Sequence, residues 1–281
     1  MWTKLWDEIA RSSFFVAPPP LDIVTEADLA SLPVAACALM AFHGVRASTP
    51  KHWSFRSAWK GAFKMKPNGS WLPIHAVQYD ARSPVTRVFH MSLRLAHVIP
   101  VLARDTYVDG CGRLIARAGD LVTVARGRGR ELDEGELVTW LNDCILFAPS
   151  MLLSDQAHFA HVDERTFDLS FTDRGTTVRA RVFVDERGAA VDFETTNRFI
   201  HDPEEARHPL VRCRWSTPIG GYVKRGDRIV SARGKATWHL PEGDFTYADF
   251  ELVDGSLVFD EPPKLPTRTL EAGLSRPHDV L

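Results

Sequence analysis

The chain has 281 residues, 44 % of them hydrophobic and 25 % charged, with a formal net charge of −2. That length and apolar content can bury a substantial core as one large or two small domains. The near-neutral balance excludes a global attraction to nucleic acid or to an anionic membrane.

Cys37, Cys111, Cys144 and Cys213 are widely spaced, with no CxxC and no paired metal-ligand spacing. Free thiols in a reducing cytoplasm are expected, without a disulfide framework. The first 20 residues carry Asp7, Glu8 and Arg11 and no continuous apolar core, so no secretory signal is expected. The greasiest run, Leu32 to Phe42, is about half of what a bilayer span needs. A soluble, cytoplasmic chain without a transmembrane segment is the expectation.

In chain order, residues 2–11 fit a short helix with Trp2, Leu5, Trp6 and Ile9 on one face. Packing on its own domain is the simpler role, and docking of both tryptophans on a membrane surface is the alternative. Pro18 to Pro20 form a rigid connector. Thr25-Glu26-Ala27-Asp28 has the form of a helix start with acidic first-turn residues. Pro33 opens another turn through Val34, Ala35, Leu39 and Met40 to Gly44, so residues 1–52 read as an N-terminal helical region.

From Trp53 the pattern changes to period two. Trp59, Gly61, Phe63 and Met65 alternate with Lys60, Lys64 and Lys66, and Pro67-Asn68-Gly69 turns the chain into a strand from Trp71 to Tyr79. Thr86 to Met91 makes a third strand. Asp105-Thr106-Tyr107 followed by Asp109-Gly110 marks a further strand and tight turn, continued by Leu114 to Ala116 and Leu121 to Ala125. Arg126, Arg128 and Arg130, separated by glycines, read as a small basic loop, a solvated tip or, in the alternative, a phosphate site.

Glu134 to Leu153 is the longest helical stretch, with the helix proper over 135–148. Leu137, Trp140, Leu141, Cys144 and Ile145 make one apolar stripe, Gly135 precedes it and Pro149 ends it. Asn142 and Asp143 sit inside it against local propensity, which calls for a partner network or a chemical role. The alternation then resumes. Phe167, Leu169 and Phe171 share a face, Asp173-Arg174-Gly175 is a turn, and Val178, Ala180, Val182 and Val184 share a buried face. Asp192, Glu194, Thr196 and Arg198 are placed on the face opposite Val191 and Phe193. Later strands cover Val211–Ser216, Tyr222, Arg228–Ser231, Lys235–His239, Phe245–Leu252 and Leu257–Phe259, and the tail 261–281 reads as disordered.

No phosphate loop, dinucleotide fingerprint, nucleophile elbow or zinc signature is present. His158 and His161, three apart on a strand, point to opposite faces and cannot share an ion. No metal and no cofactor are expected. Three motifs do carry information: Leu141-Asn142-Asp143 with Ala148-Pro149, Ser216-Thr217-Pro218, and Trp238 to Tyr247 with its Pro241-Glu242-Gly243 turn. In this order they resemble an uncharacterised bacterial family, a domain of unknown function, with the pattern LND-x4-AP, STP and W-x2-P-[DE]-G-[DE]-F-x-Y, from about Leu32 to Phe259. The resemblance implies no reaction. It implies a β-rich fold with helices on the concave side, similar in outline to lipid-carrying half-barrels.

The expected fold is therefore α+β and β-dominated: a large curved antiparallel sheet or partly closed barrel over 53–260, with the helix laid across its mouth. Asp143 is the candidate working carboxylate, with Arg198 as its partner. Anchoring the helix to the sheet is the favoured role, and general acid/base or ligand-orienting chemistry the alternative. Trp140, Phe147, Trp215 and Tyr247 would wall any cavity, with Asn142 and Thr217 as polar contacts. The first functional expectation is binding of an apolar or amphipathic small molecule or lipid between sheet and helix. A cofactor-independent cyclase, isomerase or hydrolase comes second, and a structural or partner-binding domain third. A cavity above about 300 Å³ would favour a ligand, convergent polar groups would favour catalysis, and a filled core would favour the third.

Overall fold

The computed structural model describes residues 2–11, 18–95, 98–119, 121–201, 210–226 and 228–263. Residues 264–281 of the expected disordered tail, and the Trp2 side chain, lie outside the described residues.

The alternating segments form antiparallel strands. The first meander comprises β1 (Ser54–Phe63), β2 (Leu72–Arg82), β3 (Val85–Leu95), β4 (Ile99–Val108), β5 (Cys111–Ala118) and β6 (Val122–Arg128). The second comprises β7 (Ala157–Asp163), β8 (Thr166–Asp173), β9 (Thr176–Val184), β10 (Ala190–His201) and β11 (Leu210–Ser216). Short strands β12 (Ile219–Gly220), β13 (Val223–Arg225) and β14 (Arg228–Val230) precede β15 (Arg233–Leu240) and β16 (Gly243–Leu252), and β17 (Val258–Phe259) pairs with β1. β16 and β15 stitch the meanders into one sheet ordered β6-β5-β4-β3-β2-β1-β16-β15-β11-β10-β9-β8-β7.

Turn chemistry fixes the register. Arg174 (φ 46°) with Gly175 (φ 85°), and Asp109 (φ 54°) with Gly110 (φ 79°), form the two-residue left-handed turns that suit twisted hairpins. In β9 the four side chains expected to be buried are 0–6 % exposed.

This topology explains the long helix. β6 and β7 are the two edges of the sheet, so the segment joining them must cross its concave face. That segment is α4 (Arg130–Phe147), followed by a 3-10 turn at Pro149–Leu152. It packs on β4 and β5 at one side and on β9 and β10 at the other. From Glu134 onward it is buried nearly all round, well beyond a single stripe. The helix also begins five residues before Gly135. Gly129, at φ 109°, is the boundary, and Glu131 and Asp133 occupy the first turn. The basic loop is thus corrected: Arg126 and Arg128 lie in β6, and Arg130 opens the helix. Gly112 of β5 makes room for this start, because a Cβ there would lie 1.9 Å from the Leu132 carbonyl oxygen.

α2 (Glu26–Ala30) has the expected start, a reciprocal capping box between Thr25 and Asp28. α3 (Val34–Phe42) places Ala35, Ala36 and Leu39 in the core shared with α4. α1 (Trp2–Arg11) lies on the other face of the sheet. Its Leu5, Trp6 and Ile9 pack on Val77, Tyr79, Ala81 and Val88, whose strand phase is opposite to that of the concave residues. Trp6 meets Tyr79 edge to face at 5.7 Å and is buried, so it is not available to enter a membrane. No helix among the described residues is long and apolar enough to cross one.

Candidate functional site

Between α4 and the floor formed by β1–β4, β15 and β16 lies a chamber of about 130 Å³. Trp59, Phe63, Phe89, Trp215, Tyr247 and Phe250 give it an aromatic wall, and α4 presents Glu136, Thr139, Asn142, Asp143 and Leu146 to it. Their offsets of three, four and seven place them on one helical face. Lys235 stands exposed at the rim.

The polar groups form a connected cluster. Asp143 Oδ2 accepts from Gln78 Nε2 at 2.6 Å and from Arg87 Nε at 2.8 Å, and Arg87 Nη1 donates to Glu136 Oε2 at 3.0 Å. Gln78 in turn accepts from Trp59 Nε1 at 3.0 Å. Arg198 Nη1 reaches the Gly135 carbonyl at 3.0 Å, Thr139 Oγ1 at 2.8 Å and Glu136 Oε1 at 3.5 Å. The Arg198 guanidinium also lies over the rings of Trp215 and Trp238. Thr217 Oγ1 donates to Asn142 Oδ1 at 2.7 Å, and Trp215 Nε1 to Tyr247 Oη at 3.0 Å.

Four carboxyls surround the single guanidinium of Arg87: Asp143, Glu136, Asp80 and Asp105. Burial raises the Asp143 carboxyl above its ordinary range, with Arg87 and Gln78 pulling it back. Burial drives Asp80 well above that range and the Asp143 charge adds to it; neither of its oxygens has a hydrogen-bond partner among the described residues. Asp105 is pushed up to about 7, first by burial and then by Glu136, against the pull of Arg87 and Arg198. Among the described residues, Asp105 Oδ1 is buried without a partner, and so is Arg198 Nε. Because Asp143 holds charge-assisted bonds to two strands, Asp143→Asn is expected to cost about 1–3 kcal/mol in urea unfolding at neutral pH. An unchanged midpoint would remove the anchoring role.

Of the residues expected from the sequence, Asn142, Asp143, Arg198, Trp215, Thr217 and Tyr247 line the chamber together. Trp140 and Phe147 do not. One helical residue away from the chamber face, Trp140 packs on Phe171 and donates to the Ala81 carbonyl, while Phe147 packs on Phe55 and Trp59 in the core. The Asp143–Arg198 pairing is also corrected. Arg198 meets the first turns of α4, and Asp143 lies farther along, where Arg87 answers it. A bulge between Thr195 and Arg198 shifts the strand phase and turns Arg198 inward, off the face of Glu194 and Thr196. A second bulge, between Ala190 and Asp192, leaves Val191 exposed while Phe193 is buried.

Gln78, Arg87, Asp105 and Glu136 were not singled out from the sequence. The signal was present: Arg87 shares its strand phase with Phe89 and Met91, and Gln78 with Ala76. A polar side chain in the apolar phase of a strand marks a group facing inward.

Ser216 Oγ lies 2.9 Å from His239 Nε2, and His239 Nδ1 lies 2.7 Å from Asp244 Oδ1. The order of contacts is that of a nucleophile, base and orienting acid. Ser216 is only 2 % exposed, however, and none of the three lines the chamber. The relay bridges β11, β15 and β16 with its serine buried.

Residues 22–250 match the model of a family of unknown function (DUF6544). The chain belongs to this family. No curated protein is detectably similar in sequence. Among solved structures, a putative outer membrane lipoprotein-sorting protein domain from Vibrio parahaemolyticus aligns at TM-score 0.41 and 13 % identity over 79 % of this chain and 90 % of its own. A DUF1329 family protein from Desulfovibrio piger gives 0.39 and 11 % over 85 % and 94 %. A LolA superfamily protein from Nitrosomonas europaea gives 0.37 and 11 % over 83 % and 96 %.

Proposed function

We propose that this DUF6544 chain binds a small amphipathic molecule in the chamber between α4 and the curled sheet. The carrying observation is the pair of buried, unpartnered polar atoms, Asp105 Oδ1 and Arg198 Nε, on residues lining an aromatic-walled space. A buried polar atom without a partner is costly, and a ligand bearing both a donor and an acceptor at one end would satisfy the two. The chamber is smaller than the roughly 300 Å³ usual for drug-sized ligands. Its volume of about 130 Å³ is closer to the apolar cavity of about 150 Å³ that takes one benzene. A single ring or the end of a chain is the matching size, and a whole lipid is not.

The test is mass spectrometry of small molecules extracted from natively purified protein, with thermal shift against phenol, hexanol and hexanoic acid. A recovered molecule, or stabilisation by one probe that falls at least tenfold in Asp105→Asn, is the expected result. Neither recovery nor any shift would end the proposal. Acid/base catalysis is the second reading, favoured by the Asp105 carboxyl poised at about 7, where it can exchange a proton near neutrality. It requires that the recovered molecule be converted by the native protein and not by Asp105→Asn.

A further inference from the structure

A hollow larger than the chamber lies elsewhere on the molecule. A groove of about 1000 Å³ lies on the opposite, outer face of β3–β6, beside α1. Its floor is apolar, with Val88, Leu102, Val108 and Ile115, and its described lining includes Lys4, Arg104, Arg113, Arg117, Arg126 and Arg128, with Asp7 the one acid among the described lining residues. The net charge of −2 conceals this segregation.

Arg113 faces Arg128 directly across the β5–β6 ladder, and Arg126 faces Ile115. Side chains so paired have their Cβ atoms about 5 Å apart, and like charges there are destabilising. Neither Arg113, Arg117, Arg126 nor Arg128 has an ion-pair partner among the described residues. Such an array asks for an anion from outside.

The same strands end in an apolar tip. The β3–β4 and β5–β6 connections fall at one end of the meander, since Val101 pairs with Ala118. Val98, Ile99, Leu121, Val122 and Val124 there are 47–84 % exposed. Exposed apolar side chains beside unpaired arginines combine the two attractions of an anionic bilayer, insertion at the interface and charge.

We propose that the β3–β6 arm docks on an anionic lipid bilayer, with the tip entering the interface and Arg113, Arg117, Arg126 and Arg128 holding lipid headgroups. The proposal is independent of the chamber. Its test is co-sedimentation with vesicles of phosphatidylcholine alone or mixed equally with phosphatidylglycerol. The protein is expected to bind the mixed vesicles, to ignore the neutral ones, and to lose binding as salt is raised. Arg113→Gln with Arg128→Gln, both exposed, should weaken binding about fivefold per charge removed, on the order of 25-fold in all, at unchanged melting temperature. Leu121→Gln with Val122→Gln should weaken it as well, and Asp105→Asn should leave it intact. Equal binding to neutral vesicles, indifference to the arginine substitutions, or tighter capture of a DNA duplex than of the mixed vesicles would overturn the proposal.

Discussion

Replacing Arg87 by methionine is expected to lower stability by about 3–5 kcal/mol at pH 7, the largest loss of any single exchange in the polar cluster. Arg87 is 5 % exposed, and its guanidinium bonds Asp143 and Glu136 from two of its nitrogens. Methionine keeps much of the volume but leaves the Asp143 carboxylate buried beside Asp80 without its cation, and Glu136 with only the longer contact to Arg198 at 3.5 Å. These carboxyls would then take up protons more readily in the folded chain than in the unfolded one. An acid whose folded pKa is raised contributes stability below its unfolded pKa and loses it as pH rises through the folded value. The deficit of the variant should therefore shrink as pH falls from 7 toward about 4, the ordinary carboxylate range. Urea unfolding of both proteins at several pH values measures this. A deficit below about 1 kcal/mol, or one that does not change with pH, would show that Arg87 does not neutralise the cluster.

Much of this architecture could be read in the sequence because it depends on local pattern. The alternation around Val178 to Val184 fixes a buried face by period alone, and Asp173-Arg174-Gly175 fixes its turn by the backbone freedom of glycine. The Asn142–Asp143 pair stood out because it opposes helix propensity, and both side chains do reach the chamber. What could not be read depends on long-range pairing. Which strands become the edges follows from β1 joining β16, nearly two hundred residues apart, and only that joining forces α4 across the concave face. Gln78, Arg87 and Asp105 lie on three neighbouring strands whose alternation shows that they share a side, but not that this side is the one α4 covers. Strict alternation puts Arg198 on the wrong face because one inserted residue reverses every side chain beyond it, and nothing local in Thr195-Thr196-Asn197 announces the bulge.

Asp105→Asn is the complementary experiment, because it should remove a pH dependence and leave the fold intact. In the folded chain Asp105 titrates at about 7, against an ordinary value of 3.8. Between those values the folded protein holds a proton that the unfolded chain has released, so stability falls as pH rises across the window and is level above it. At about 1.4 kcal/mol per unit the full shift is on the order of 4 kcal/mol, and local solvation reduces the expected span to about 2–4 kcal/mol. Asparagine cannot titrate, so the difference in unfolding free energy between wild type and variant should move by that amount in favour of the variant from pH 4 to pH 8. Comparing the two proteins at each pH cancels the common contributions of Asp192, itself raised to about 6, and of Asp80 and Asp143. A ligand that donates a hydrogen bond to Asp105 would lower its pKa and flatten the wild-type slope, whereas the variant would respond only to the ligand's apolar part. Parallel stability curves for the two proteins, with or without ligand, would show that Asp105 is an ordinary carboxylate and that the chamber lacks its polar anchor.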